Sequence, residues 1–222
     1  MKKTSKTQIA MWIFAVAPLI LTAVLYKGLP SQIPTNWGFN GEVSYSSKMT
    51  LWLLSGISPV LAVLFMLIPK IDPRKKNYDK FRGLYDGFAL FMMIFMLGLV
   101  ALTISESLNP GKISVESVIV AACGLLFAFI GNMLPKVKSN FFIGIKTPWA
   151  LSDSEVWNKT HRLAGYLFFF GGILTIIIAF LLHEYALFIT LMVLVAVMAI
   201  VPIVMSYVWF KGLNDTHKSD EH

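Results

Sequence analysis

Residues 185–210 read YALFITLMVLVAVMAIVPIVMSYVWF, 26 consecutive positions without a charged side chain. As a helix rising 1.5 Å per residue, such a run extends about 39 Å, enough to cross a hydrocarbon core of about 30 Å with some tilt. The rest of the chain repeats this pattern. Of its 222 residues, 56% are hydrophobic and 14% charged, whereas a soluble domain is nearer about 25% charged. Residues 9–26, 49–69, 87–104, 114–134 and 163–182 are likewise runs of about 20 mostly apolar residues, with Glu116 near the start of the fourth. The chain is therefore read as an all-α, polytopic integral membrane protein with about six transmembrane helices. Only His183 and Glu184 separate the last two runs. One helix through both would be far too long for a single crossing, so a tight antiparallel hairpin is predicted there.

Orientation follows from the basic residues. Sixteen Lys and Arg fall in the N-terminal tail, the second and fourth connections and the C-terminal tail. Lys27, Lys48 and Lys112 alone lie on the other side. The positive-inside rule puts both termini in the cytoplasm, with the chain multi-pass in the cell membrane. The formal charge of +7 is thus read as topology and contact with anionic membrane lipids, without direct nucleic-acid binding. The first run is too long for a secretory signal and lacks a small-x-small cleavage pattern after it, so it is read as an uncleaved helix. Cys123 lies inside an apolar run and has no cysteine to pair with.

Residues 1–222 are expected to form one membrane domain with two sizeable loops. The outer loop, 27–48, holds Leu29-Pro30, Pro34, Trp37, Gly38 and Gly41, a composition that favours turns. The inner loop, 135–162, follows Leu134-Pro135 and holds Gly144, Pro148 and Trp149. The shared Leu-Pro, Pro and Trp form a faint echo, three spans apart, of the kind an inverted repeat leaves. Ser152 and Glu155 have capping-box spacing, predicting a short interfacial helix that bends into the fifth span.

No Asp, Glu, Lys, Arg or His lies mid-span, which disfavours a proton or ion pathway. Asp86 and Glu116 are near span ends and read as interfacial charges. Asn132 reads as a helix-to-helix hydrogen-bond partner. Trp12, Trp52 and Trp209 read as interface anchors. The four histidines are scattered, and no metal-ligand spacing, phosphate-binding loop or nucleophile elbow is present. The chain is read as a non-enzyme without cofactor or metal. His161 with Asp153 or Glu155 is the one acid–base pairing to weigh, and nothing else converges on it. What remains is residues 140–165, which combine Gly144, Pro148, two Trp and a Lys/His/Arg set. They make either a lipid-anchoring element or a partner surface.

Phe142-Ile143-Gly144-Ile145-Lys146-Thr147-Pro148-Trp149, followed by Leu151-Ser152, Val156-Trp157 and Thr160-His161-Arg162, resembles the signature of the SdpI family, the Sdp immunity proteins. Gly131-Asn132 and Leu134-Pro135-Lys136 fit the same pattern. The outer stretch from Leu29 to Trp37, with Gly41-Glu42 and Ser47-Lys48, resembles the N-terminal membrane module found in many of these proteins. Three positions depart from that pattern. Asn36-Trp37-Gly38 stands where the module often has His-Trp/Phe-Asn. Ser44 stands near where an acidic residue is common. Lys146 stands where Arg is usual, which keeps the charge but loses the bidentate fork.

The resemblance implies immunity against a secreted toxic peptide, with bacteriocin resistance and signal transduction as the two roles. It also implies a small cytosolic transcriptional repressor as a partner, held at the membrane when toxin is present. The toxin would meet the outer loop at Pro30, Pro34, Asn36, Trp37, Gly41 and Glu42. The inner partner would meet Asn132, Gly144, Lys146, Thr147, Pro148, Trp149, Trp157, His161 and Arg162. A transporter or exporter of an amphiphilic toxic compound is the alternative; the loop echo favours it and the uncharged spans count against proton coupling.

Overall fold

A computed structural model describes residues 5–38 and 42–219. Six helices are long and apolar enough to cross a membrane: α1 (Lys6–Leu25), α2 (Thr50–Ile71), α3 (Arg82–Leu108), α4 (Val115–Met133), α6 (Ser154–Leu181) and α7 (Glu184–Ser219). A five-residue helix, α5 (Pro148–Ser152), sits between α4 and α6. The spans thus fall where the apolar runs place them. The run 87–104, as short as 9–26, lies within a helix of 27 residues. The reversal at His183 is as tight as expected: α6 ends at Leu181, and Glu184, with a φ of +49°, opens α7.

Each span keeps an apolar outer face. Ile13, Ile20 and Val24 on α1, Leu53 and Val60 on α2, Phe170 and Phe180 on α6, and Ile189 and Ile200 on α7 are all exposed. A surface this apolar is stable only against lipid. Inside, α1, α2 and α3 pack on one another, with Met11, Ala15, Ala62, Ala89 and Met93 at their centre. The second half is built around α6, which packs against α4 on one side and α7 on the other.

The α4–α6 seam is the closest in the molecule, because glycines face each other across it. A methyl group on Gly124 would strike the Gly172 carbonyl, and one on Gly131 would strike the backbone of Phe169. One on Gly165 would strike the Pro135 ring. Small residues let two helix backbones approach where no hydrophobic effect drives them together.

The outer loop is a finding that its turn-rich composition concealed. It is an antiparallel hairpin of β1 (Gln32–Trp37) and β2 (Val43–Ser47). The register slips between Pro34 and Asn36, where proline lacks a ladder donor. Leu29 and Ile33 plug the base of the hairpin into a cluster with Leu51, Val100 and Ile104. Lys48 closes that base, its ammonium donating to the carbonyls of Tyr26 (3.3 Å) and Leu29 (3.2 Å).

The start of α6 differs from expectation. Ser152 does not cap α6; its hydroxyl donates to the Trp149 carbonyl. Asp153 is the cap, its Oδ1 accepting from the amides of Glu155 (2.7 Å) and Val156 (2.8 Å). A carboxylate suits the positive helix end better than a hydroxyl does. From there α6 runs as one helix of 28 residues, so the interfacial helix is only α5. The capping box lies elsewhere: Ser5 and Gln8 form one at the start of α1.

Candidate functional site

The inner loop is held from below by a buried polar cluster. Asp72, which ends α2, is 1% exposed, and Asn140 is 0% exposed. Asp72 Oδ1 accepts from the Arg74 amide (2.7 Å), and Oδ2 accepts from the Phe141 amide (3.0 Å). Asn140 Oδ1 accepts from the amides of Phe142 (2.9 Å) and Ile143 (2.6 Å). Its Nδ2 donates to the carbonyls of Lys138 (3.0 Å) and Ile143 (3.1 Å). The Tyr78 hydroxyl lies 3.0 Å from Asp72 Oδ2 and 3.3 Å from Asn140 Oδ1, donating between them. Burial, and then the hydrogen bond to Asp72, push that hydroxyl above its ordinary pKa. Tyr78 therefore stays a donor.

Around this cluster the second and fourth connections interlock. Asn77 Nδ2 donates to the Ser139 carbonyl (2.8 Å). Arg74 donates to the Ser139 hydroxyl and to the Leu151 carbonyl, and its guanidinium lies over the Phe141 ring.

The loop is held from above by α6. Trp157 and His161 are each 1% exposed and stack with ring centroids 3.9 Å apart. The Trp157 indole donates to the Val137 carbonyl (2.9 Å). His161 Nε2 accepts from the Ile145 amide (3.1 Å), so the ring proton sits on Nδ1, 2.8 Å from the Trp157 carbonyl. Both ring nitrogens are thereby committed in the neutral form, and no nitrogen is left for acid–base work. Gly144 passes against this ring with a φ of +101°, and a Cβ there would collide with His161 Nε2. This is a position only glycine fits.

Thr147 caps α5 by accepting from the Ala150 amide (3.1 Å) and meets Ser206 of α7 at 2.9 Å. Ser206 in turn donates to Ile203.

The structure thus divides the expected inner surface. Gly144, Thr147, Trp157 and His161 face the chain's own interior and do not form an outward surface. Lys146 and Pro148 are exposed, and Trp149 is half-buried with its ring edge-on to Tyr207. Asn132 corrects a second expectation: it does not bridge helices, but accepts from Lys136 one turn on (3.1 Å) while exposed. It lies on a separate groove with Arg162. Asp153 caps α6, and Glu155 pairs with Lys159 at 2.7 Å, so neither reaches His161. Asp72, Tyr78, Asn140 and Ser206 escaped the sequence reading because each looks like an ordinary loop or span residue.

At the opposite end, the hairpin leans over the α4 and α7 starts. Asn36 and Trp37 line a cavity of about 340 Å³ with Thr35, Glu116, Leu187 and Phe188. Pro34 is buried in the hairpin base, while Pro30 and Glu42 are exposed. Gly41 lies outside the described residues. Asp86, at the motif end, is more than an interfacial charge: Ser5 (3.4 Å) and Gln8 (3.3 Å) donate to its carboxylate, tying α1 to α3.

Residues 136–206 match the model of the SdpI/YfhL protein family, and residues 13–58 match a Domain of unknown function (DUF1648). The chain is SdpI-like. It is 24% identical over 210 residues to the immunity protein SdpI of Bacillus subtilis (strain 168), an alignment spanning 94% of this chain and 98% of that protein. No solved structure matches it. The SdpI/YfhL match contains Asn140, Gly144, His161 and both partners of the Thr147–Ser206 contact. The DUF1648 match contains the hairpin. Asp72 and Tyr78 lie in neither, so the lower half of the clamp is supplied from between the two matched segments.

Proposed function

We propose that this SdpI-like chain is a membrane immunity protein of the bacterial plasma membrane, protecting its cell against a secreted toxic peptide. The observation that carries this reading is the nearly end-to-end similarity to the Bacillus subtilis immunity protein. In this reading the chain acts as a single membrane domain. The basic residues put both termini and the motif end in the cytoplasm and turn the hairpin outward. The toxin is then met at the cavity under the hairpin. There Trp37 supplies an aromatic wall and Glu116 an acidic group at the mouth of α4, a pairing suited to an amphiphilic, cationic peptide.

The reading extends to signalling through a small cytosolic repressor, with exposed Lys146 and Pro148 and half-buried Trp149 as the contact. Trp149→Ala is expected to abolish recruitment of such a repressor to the membrane without affecting insertion.

The test is survival. The chain is expressed in a toxin-sensitive cell lacking its own immunity gene, and the cell is challenged with the purified Sdp toxin peptide. Protein-dependent survival is the expected result. Killing at the dose that kills the empty-vector strain, with the protein confirmed in the membrane, would overturn the reading. Protection lost on adding an uncoupler would favour an exporter instead.

A further inference from the structure

The α4–α6 seam opens at the motif end into a groove of about 540 Å³. Its upper rim carries Lys136, Lys138 and Arg162, all exposed. No carboxylate lines the groove, and among the described residues none of the three cations has an ion-pair partner. Asn132 holds the Lys136 ammonium at 3.1 Å, fixing one rim charge in place. Below the rim the lining turns apolar, with Phe169 39% and Phe170 63% exposed. The floor is the close Gly131–Gly165 contact, with the Pro135 ring packed against Gly165. From Arg162 to Phe170 is eight residues, about 12 Å along the helix axis. That spans a phosphate, a glycerol backbone and the first part of an acyl chain.

We propose that this groove binds one anionic phospholipid of the surrounding bilayer, its phosphate among Lys136, Lys138 and Arg162 and an acyl chain against Phe169 and Phe170. The charge selects the headgroup, and the position on the outer face of two spans selects a lipid over an acidic protein. An acidic protein would meet the rim but not the aromatic lower half. This inference rests on the membrane reading alone and is independent of toxin immunity.

Native mass spectrometry of the full chain, purified from mixed phosphatidylglycerol and phosphatidylcholine, tests it. Wild type is expected to retain one phosphatidylglycerol in preference to phosphatidylcholine. The triple variant Lys136→Gln, Lys138→Gln, Arg162→Gln is expected to lose that preference by at least about tenfold, since each cation near an anionic surface gives roughly a fivefold gain. The matched variant Lys70→Gln, Lys75→Gln, Lys76→Gln, on the other basic connection, is expected to keep it. Equal retention by both triple variants would overturn the proposal. So would displacement of the lipid by inorganic phosphate at matched concentration, because the apolar half of the groove would then contribute nothing. Phe170→Asp, which leaves the rim intact, is expected to lower retention as well, and unchanged retention there would count against an acyl-chain contact.

Discussion

The two ends of this bundle treat their most distinctive residues in opposite ways. At the motif end, Asn140, Gly144, Trp157 and His161 are turned inward, and their polar atoms are spent on the loop itself. At the hairpin end, Asn36 and Trp37 border a cavity, and β2 carries the exposed side chains of Val43 and Tyr45. A dense, specific sequence motif therefore marks a place where the backbone is difficult to fold, and the softer motif marks a place with room for a ligand. Buried polar groups must be matched almost completely, which fixes residue identity tightly. A ligand-facing wall needs only shape and a few polar groups.

Four substitutions probe the contrast between the two ends, the most damaging first. Gly144→Val forces a side chain at positive φ into His161 and is expected to destabilise by about 4 kcal/mol, a fall of about 10 °C in apparent melting temperature in detergent. A normal melting temperature would mean that the motif loop is not locked. Asn140→Ala strands two loop amides and is expected to cost about 3 kcal/mol by the same assay. Trp37→Ala should leave melting nearly unchanged but remove about 2 kcal/mol of toxin binding, a shift of about thirtyfold in the protective dose. Should Trp37→Ala melt early and protect normally, the roles of the two ends would be reversed. Lys146→Gln, at an exposed residue bonded among the described residues to the Phe142 carbonyl, should change stability by less than about 0.5 kcal/mol and leave protection intact.

The six spans were legible because a bilayer imposes one length and one composition, and the 26-residue run ending at Phe210 has only one physical reading. The hairpin was not. Its two strands are six and five residues long and are flanked by the prolines and glycines that signal turns. Ile33 is buried by the ends of the spans, not by a second sheet, so no alternation announced it. The inner site was legible as a location but not as a set of roles. Trp157 and His161 at i and i+4 could face lipid, partner or core. Only the loop folding back from Val137 to Ile145 makes them core. Asp72 was hidden by distance: it lies 69 residues from the Phe141 amide that it accepts from.

In the proposed function the toxic peptide is met at the hairpin end, while the motif end locks the inner loop. Photo-crosslinking tests it most directly. A photoreactive residue is placed at Asn36 or at Lys146, in cells, and the purified Sdp toxin peptide is added from outside. A protein–toxin adduct is expected from position 36 and none from position 146. An adduct from position 146 alone, with both variants still protective, would contradict it.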